Sequence, residues 1–291
     1  MRRPAKPAAL ERRVFSARGV RAQDLLTAAQ IRSSAWQRLH RGAYADAAIT
    51  RGHALLCLGA HLLMPPEAAI GGRSAAWGYG VQLLDDGARV EVVTPRAAKF
   101  GPVSSLRIRL ADLPSDDIVP GRPAVTTPLR TAWDIARFYP PVESVPYLDA
   151  MAARRLVTVA ELRARHVACT VAWGRKRAGT AIGLVDPRAE SPQESRLRVR
   201  LALAKMPPPV VQYEVYVGSL FVARVDLGWP DRKVAVEYDG VWHATAAQLH
   251  TDRRRLNRLV TAGWTVLHVT SARLATDFSG FLGELRVALT R

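Results

Sequence analysis

The sequence predicts a multidomain α/β protein. Three observations predict it. Helix-like and strand-like hydrophobic periodicities alternate along its 291 residues. The chain changes character at Asp186-Pro187, where a Pro- and Ser-marked helix start opens a compact pattern of strands. The length accommodates one large domain or about two to three small ones. Three regions follow from the pattern: 1–50, 51–185 and 186–291.

In the first region, Gln23 to Gln30 reads as a short helix with Leu25 and Leu26 inward, and Ser33 to His40 as a second helix around Trp36 and Leu39. Gly42 and an extended Ala43-Tyr44-Ala45 follow. Helix, turn, basic helix and small β-wing is the order of a winged helix-turn-helix, in which the second helix enters the major groove. Arg32, Gln37, Arg38 and Arg41 are then its DNA-binding side chains. A plain helical hairpin has the same spacing.

The middle region mixes helices (51–63, 66–77, 128–138, 142–153) with strands (89–94, 106–110). His53, His61 and His166 stand alone there, which favours structural roles. Arg163 to Arg177 reads as a basic, solvated, loop-like hinge.

From residue 191 the order is α-β-β-β-α-β-α. Ser191-Pro192-Gln193-Glu194 has the marks of a capping box: Ser at the N-cap, Pro at the first helical position and Glu three residues after the cap. The helix runs to about Lys205, and Pro207-Pro208-Pro209 stops it. Val210–Val217 and Leu220–Leu227 alternate around a Gly218-Ser219 turn, as a hairpin does. Lys233–Tyr238 is a third strand, Ala244–Ala262 a helix closed by Gly263, Trp264–Thr270 a fourth strand and Ala272–Leu289 a last helix.

Charge narrows the partner. The chain carries 42 Lys and Arg against 25 Asp and Glu, a net charge of +17. An excess of this size favours a polyanion, nucleic acid first and an anionic membrane second. No basic helix with a large apolar face supports a membrane surface instead. Residues 1–10 hold no apolar stretch, and the most apolar segment, Ala54 to Met64, is too short to cross a bilayer, so a cytoplasmic protein is expected. Cys57 and Cys169 fit neither a disulfide framework nor a zinc site.

The chemistry concentrates in Arg224-Val225-Asp226 and Val236-Glu237-Tyr238-Asp239-Gly240. Glu237 and Asp239 are two apart on one strand and share a face. Asp226 ends the neighbouring strand within reach of them. Like charges this close raise one another's pKa, and a divalent cation relieves the cost. Carboxylates are ligands that Mg2+ accepts, and such an ion can activate water against a phosphodiester. Solvated strand-end acids, a plain Asp-Gly turn and a capping role for Glu194 are the structural alternatives.

A Glu on the first helix, an Asp ending the second strand and Glu-x-Asp-Gly on the third resemble the PD-(D/E)XK nuclease superfamily, a restriction-endonuclease-like fold. More narrowly they resemble its branch related to very-short-patch repair endonuclease. The match runs through Asp226, the VEYDG run, His243, Asp252 with Arg255, and Leu259 to Leu267. The resemblance implies that Asp226 and Glu237 bind Mg2+ (or Mn2+), that Glu194 supports them, that Asp239 positions water or a second ion, and that His243 moves a proton. The superfamily's Lys is Asp239 in this chain. On the 244–262 helix, Leu249, Leu256 and Val260 mark the expected buried stripe, Asp252 pairs with Arg255 in support of the site, and Arg254 and Arg258 face outward toward DNA.

The front of the chain, through Arg41-Gly42-Ala43-Tyr44, Ser74-Ala75-Ala76-Trp77 and Thr126-Thr127-Pro128 with Arg130, Thr131 and Asp134, resembles actinobacterial AbiEi-type antitoxins. The two resemblances imply either a metal-dependent DNA endonuclease or a transcriptional regulator/antitoxin of a type IV toxin-antitoxin-like system with an inactive nuclease fold. A toxin or a second copy of the chain would then be a protein partner.

Overall fold

The structure is a computed structural model that describes residues 6–85, 87–239 and 246–291, with side chains at 246–252 outside the description. The architecture is mixed α/β. The chain divides into two compact units, Met1–Ile135 and Ala136–Arg291, so the expected division at 185/186 falls inside the second unit.

The first unit contains β1 (Val14–Ser16), α1 (Ala17–Ala22), α2 (Ala28–Ile31), β2 (Trp36–His40), β3 (Ala43–Asp46), α3 (His53–His61), β4 (Ala69–Ile70), α4 (Gly72–Gly78), β5 (Val90–Thr94), β6 (Leu106–Leu110), β7 (Ile118–Val119) and β8 (Val125–Thr126). A three-stranded sheet has the order β1-β3-β2 and a five-stranded sheet the order β6-β5-β4-β8-β7. The helix α5 (Pro128–Phe138) carries the chain across the division.

The expected second helix at 33–40 is instead the strand β2, antiparallel to β3. Eight residues are too few to hold a helix without packing, and the pairing across Gly42, at φ +92°, places Trp36 edge-on to Phe15 with ring centroids 5.0 Å apart. The helical signal lies earlier. Thr27 and Gln30 form a complete capping box on the single turn α2, so the expected 23–30 helix begins only at Ala28.

One further correction belongs to the first unit. Residues 66–77 open with the short strand β4, inserted beside β5, before α4 begins. The motif residues of this region are internal cross-links. Arg73 Nε donates to Glu91 at 2.8 Å and Ser74 Oγ accepts the Glu91 N–H at 2.9 Å. Arg130 reaches both Asp117 and Asp134 at 2.7 and 2.8 Å, and His53 Nε2 sits 2.9 Å from Ser74 Oγ.

The second unit continues with α6 (Pro141–Ala153), α7 (Val159–Ala168), α8 (Arg175–Gly183), α9 (Pro192–Leu203), β9 (Val210–Val217), β10 (Leu220–Trp229), β11 (Val234–Asp239), α10 (Ala246–Thr261), β12 (Thr265–Thr270), α11 (Ser271–Thr276) and α12 (Phe278–Thr290). The loop expected at 163–177 is largely helical. Thr158 and Glu161 cap α7 reciprocally and Leu162 is fully buried beneath it. The last helix is broken at Asp277, whose side chain caps α12.

Four strands in the order β12-β11-β10-β9 form the sheet of this unit. β9, β10 and β11 are antiparallel neighbours, and β12 returns parallel to β11 after α10. One face carries Leu227, Val234 and Val236 against Leu197 and Leu201 of α9 and Phe281 and Leu285 of α12. The other carries Val215, Val225 and Ala235 against Leu259 of α10. Each such side chain contributes about 1.5–3 kcal/mol when fully buried. On α10 the stripe runs through Leu259, 1% exposed, whereas Val260 is 58% exposed. Of the expected stripe, Leu256 is half-buried, Val260 gives way to Leu259, and the Leu249 side chain lies outside the described residues.

Candidate active site

The acidic residues gather where the hairpin β9–β10 twists. Pairing passes from Val211–Leu227 to Tyr213–Val225. Val211 and Leu227 join the α9/α12 core, while Tyr213 and Val225 join the α10 core. Residues two apart on a flat strand share a face, so the strands change faces here. Gln212 absorbs the change at φ +52°, a left-handed conformation uncommon for a residue with a Cβ. Asp226 stands inside β10, which runs on to Trp229, rather than at its end.

The Gln212 amide joins two carboxylates from different elements. Its Nε2 lies 2.8 Å from Glu194 Oε2 and 3.4 Å from Asp226 Oδ1. Asp226 Oδ2 accepts the backbone N–H of Tyr238 at 2.8 Å. Only half of the expected capping box forms on α9. Ser191 Oγ accepts the Glu194 N–H at 3.1 Å, but the Glu194 carboxylate turns to the Glu190 N–H at 3.1 Å and to Gln212. Glu194 is buried at 7% exposure. A buried carboxylate needs such partners.

Glu237 neighbours Asp226, each one residue beyond Leu227–Val236, the last pair of the β10–β11 ladder. Its carboxylate receives the fork of Arg255, Nη1 at 2.9 Å and Nη2 at 2.5 Å. The expected partner of Arg255 was Asp252, whose side chain lies outside the described residues. Burial pushes the Asp226 carboxyl up, the Tyr238 N–H pulls it down and Glu194 adds to the rise. Burial likewise pushes Glu237 up against the opposing pull of Arg255. Desolvation wins at both carboxylates.

Asp239 is about half exposed and lies 3.2 Å from His268 Nδ1 on β12. His243 lies outside the described residues. Arg254 and Arg258 are exposed on α10. In the first unit, Arg32, Arg38 and Arg41 are exposed, but none sits on a second helix. Gln37 turns its amide to the carbonyls of Asp46 and Ile49 at 3.2 and 2.6 Å, because β2 places it beside the end of the hairpin.

Among the described residues no group of three or more His, Cys, Asp or Glu side chains is gathered to hold a metal ion. The pair Asp226 and Glu237 remains a chemically suitable donor set. An ionised carboxylate has about four lone-pair sites, and each Glu237 oxygen accepts one Arg255 bond. Mg2+ typically takes one or two carboxylates and completes its shell with water and phosphate oxygens.

A cleft of about 720 Å³ opens beside the acids, lined by Glu194, Arg196 and Arg200 of α9, Asp226, Tyr238 and Leu274 of α11 among others. Gln212, Arg196, Arg200 and His268 are site residues that sequence reasoning passed over. The strand pattern carries no signal for Gln212; for Arg196 and Arg200 the signal is a repeat four apart on the helix that carries Glu194. Both cysteines are free thiols, and among the described residues no helix is long and apolar enough to cross a membrane.

No family model and no solved structure matches the chain. Over 252 residues it is 29% identical to two Mycobacterium tuberculosis proteins, "Uncharacterized protein Rv2248" of strain H37Rv and "Uncharacterized protein MT2308" of strain CDC 1551, a match spanning 81% of this chain and 84% of each relative.

Proposed function

We propose that the chain is a DNA-binding protein whose second unit is a metal-dependent endonuclease of restriction-endonuclease-like type. The observation that carries this reading is the pair Asp226 and Glu237 on neighbouring strands, both raised by burial, with Glu194 tied to Asp226 through the Gln212 amide. Buried acids beside one another favour a bound cation. Asp226 and Glu237 would hold Mg2+, and the ion would supply charge stabilisation at a phosphodiester and an acidified water. Gln212 fixes Glu194 and Asp226 relative to one another, and Arg255 holds Glu237 in place. The net charge of +17 supports DNA as the substrate.

The test is plasmid relaxation with Mg2+. Wild-type protein is expected to nick or cut, and Asp226→Ala or Glu237→Ala to abolish cleavage at unchanged DNA affinity. Full cleavage by either alanine variant would overturn the assignment.

A second reading has its own observation. Arg255 already supplies a positive charge to Glu237, and Asp239 faces His268 where the resembled superfamily keeps a Lys. A fold whose acids are served by its own Arg would bind DNA, or a toxin partner, without cutting. That reading requires no Mg2+-dependent turnover by the wild-type protein.

A further inference from the structure

We propose that the cleft between α9 and α11 seats the phosphodiester backbone of a nucleic-acid strand, with Arg196 as its phosphate-binding side chain. The inference rests on the nuclease reading for the identity of the substrate, but its chemistry comes from the arginines of α9.

Three arginines alternate along that helix. Arg198 is buried, with Nη2 donating to Asp149 at 2.6 Å and Nη1 to the Leu184 carbonyl. Arg200 is fixed by the Leu274 carbonyl at 2.7 Å, and its Cζ lies over Phe278, 3.8 Å from the ring centroid. Arg196 is half-buried on the cleft wall and makes no hydrogen bond, ion pair or ring contact among the described residues. A guanidinium presents five donors in a planar fork. None of its nitrogens is buried out of reach of solvent, so the whole fork is open to an anionic ligand entering the cleft.

The acceptor that fits is anionic and bidentate. Glu194 and Asp226 line the same cleft, yet no bond joins Arg196 to either. A phosphate approaching those carboxylates meets repulsion that a neighbouring guanidinium offsets, and the Arg fork matches two phosphate oxygens. Arg200, four residues on and therefore on the same helical face, lines the cleft as a second positive wall. A strand laid along α9 would pass Arg200 and Arg196 and bring one phosphodiester to Asp226.

The experiment measures binding of a short fluorescein-labelled DNA oligonucleotide by anisotropy, in EDTA so that no cleavage intervenes, across a series of salt concentrations. The full-length wild type, Arg196→Ala and Arg196→Lys are compared, with melting temperature measured for each. One phosphate contact is worth about 1 in the slope of log affinity against log salt concentration. Arg196→Ala is expected to lose about that slope at unchanged melting temperature, and Arg196→Lys to keep most of it. An unchanged slope in Arg196→Ala overturns the proposal, as does an Arg196→Lys variant as deficient as the alanine. Failure of the nuclease reading shows separately, as wild-type protein that binds with the Arg196-dependent slope yet cuts nothing in Mg2+.

Discussion

Arg255 holds Glu237 with both arms of its guanidinium, one to each carboxylate oxygen. The pair ties α10 to β11 and sets the rotamer of an acid that burial would otherwise protonate more readily. A hydrogen bond to a charged group contributes about 1.5–3 kcal/mol. The Arg255 side chain is 32% exposed, which places the pair toward the lower end because water screens it. Arg255→Ala is therefore expected to destabilise the second unit by about 1.5 kcal/mol in urea unfolding. Arg255→Lys should fall between, since an ammonium keeps the charge and loses the fork. Equal stability of all three proteins would remove Arg255 from its assigned part.

Gln212 separates backbone strain from side-chain chemistry. A left-handed conformation costs a residue with a Cβ roughly 1–2 kcal/mol that glycine does not incur. Gln212→Gly should thus be about 1 kcal/mol more stable than Gln212→Ala. Both variants lose the amide between Glu194 and Asp226, so both should lose cleavage to a similar extent. A glycine variant less stable than the alanine would mean that the φ of +52° is not a strained feature of the protein in solution.

The pH response follows from burial. Asp226 and Glu237 lie above their ordinary values of 3.8 and 4.5, so the folded chain binds these protons more tightly than the unfolded chain. Their contribution to stability is present below the unfolded values and is lost as pH rises through the raised folded ones. Asp226→Asn keeps an acceptor for the Tyr238 N–H and cannot ionise. Its melting temperature should gain on that of the wild type as pH rises from about 4 to about 7. Mg2+ should raise the wild-type melting temperature more at neutral than at acid pH, and leave Asp226→Asn unmoved. Parallel curves for the two proteins, with and without Mg2+, would place the titrating groups elsewhere.

Legibility in the sequence tracked how local each determinant is. Ser191-Pro192 and Pro207-Pro208-Pro209 bracket α9 by rules that act within a few residues, and that helix was readable to within about two positions. Strand alternation placed β9, β10 and β11 well, and with them Asp226 opposite Glu237. Residues 33–40 misled because Trp36 and Leu39 suit a helical face as well as a strand; pairing with β3 decides between them, and pairing is not a local property. The capping box of Thr158 and Glu161 lies ahead of the basic stretch and starts the helix that the stretch continues. Gln212 could not be found by alternation, because the twist it creates is where alternation stops. Arg255 was assigned to its nearest acid along the helix, whereas its observed partner lies across the sheet.

Asp149 offers the sharpest test of the packing that carries α9. It is 1% exposed and gathers the Ser195 hydroxyl at 2.6 Å, the Asp186 N–H at 2.8 Å and Arg198 at 2.6 Å. Burial pushes its carboxyl up to about 6 despite Arg198. Removing one partner of a buried pair leaves the other charge uncompensated, at about 3–5 kcal/mol. Asp149→Ala should cost that much in urea unfolding, and Asp149→Asn less, since it keeps an acceptor for Ser195. The double variant Asp149→Ala, Arg198→Met should recover much of the loss, because the orphaned guanidinium goes with its partner and an apolar side chain of similar length fills its place. A double variant no more stable than Asp149→Ala would show that Asp149 acts through its bonds to Ser195 and Asp186, and that the ion pair with Arg198 contributes little to joining α6 and α9.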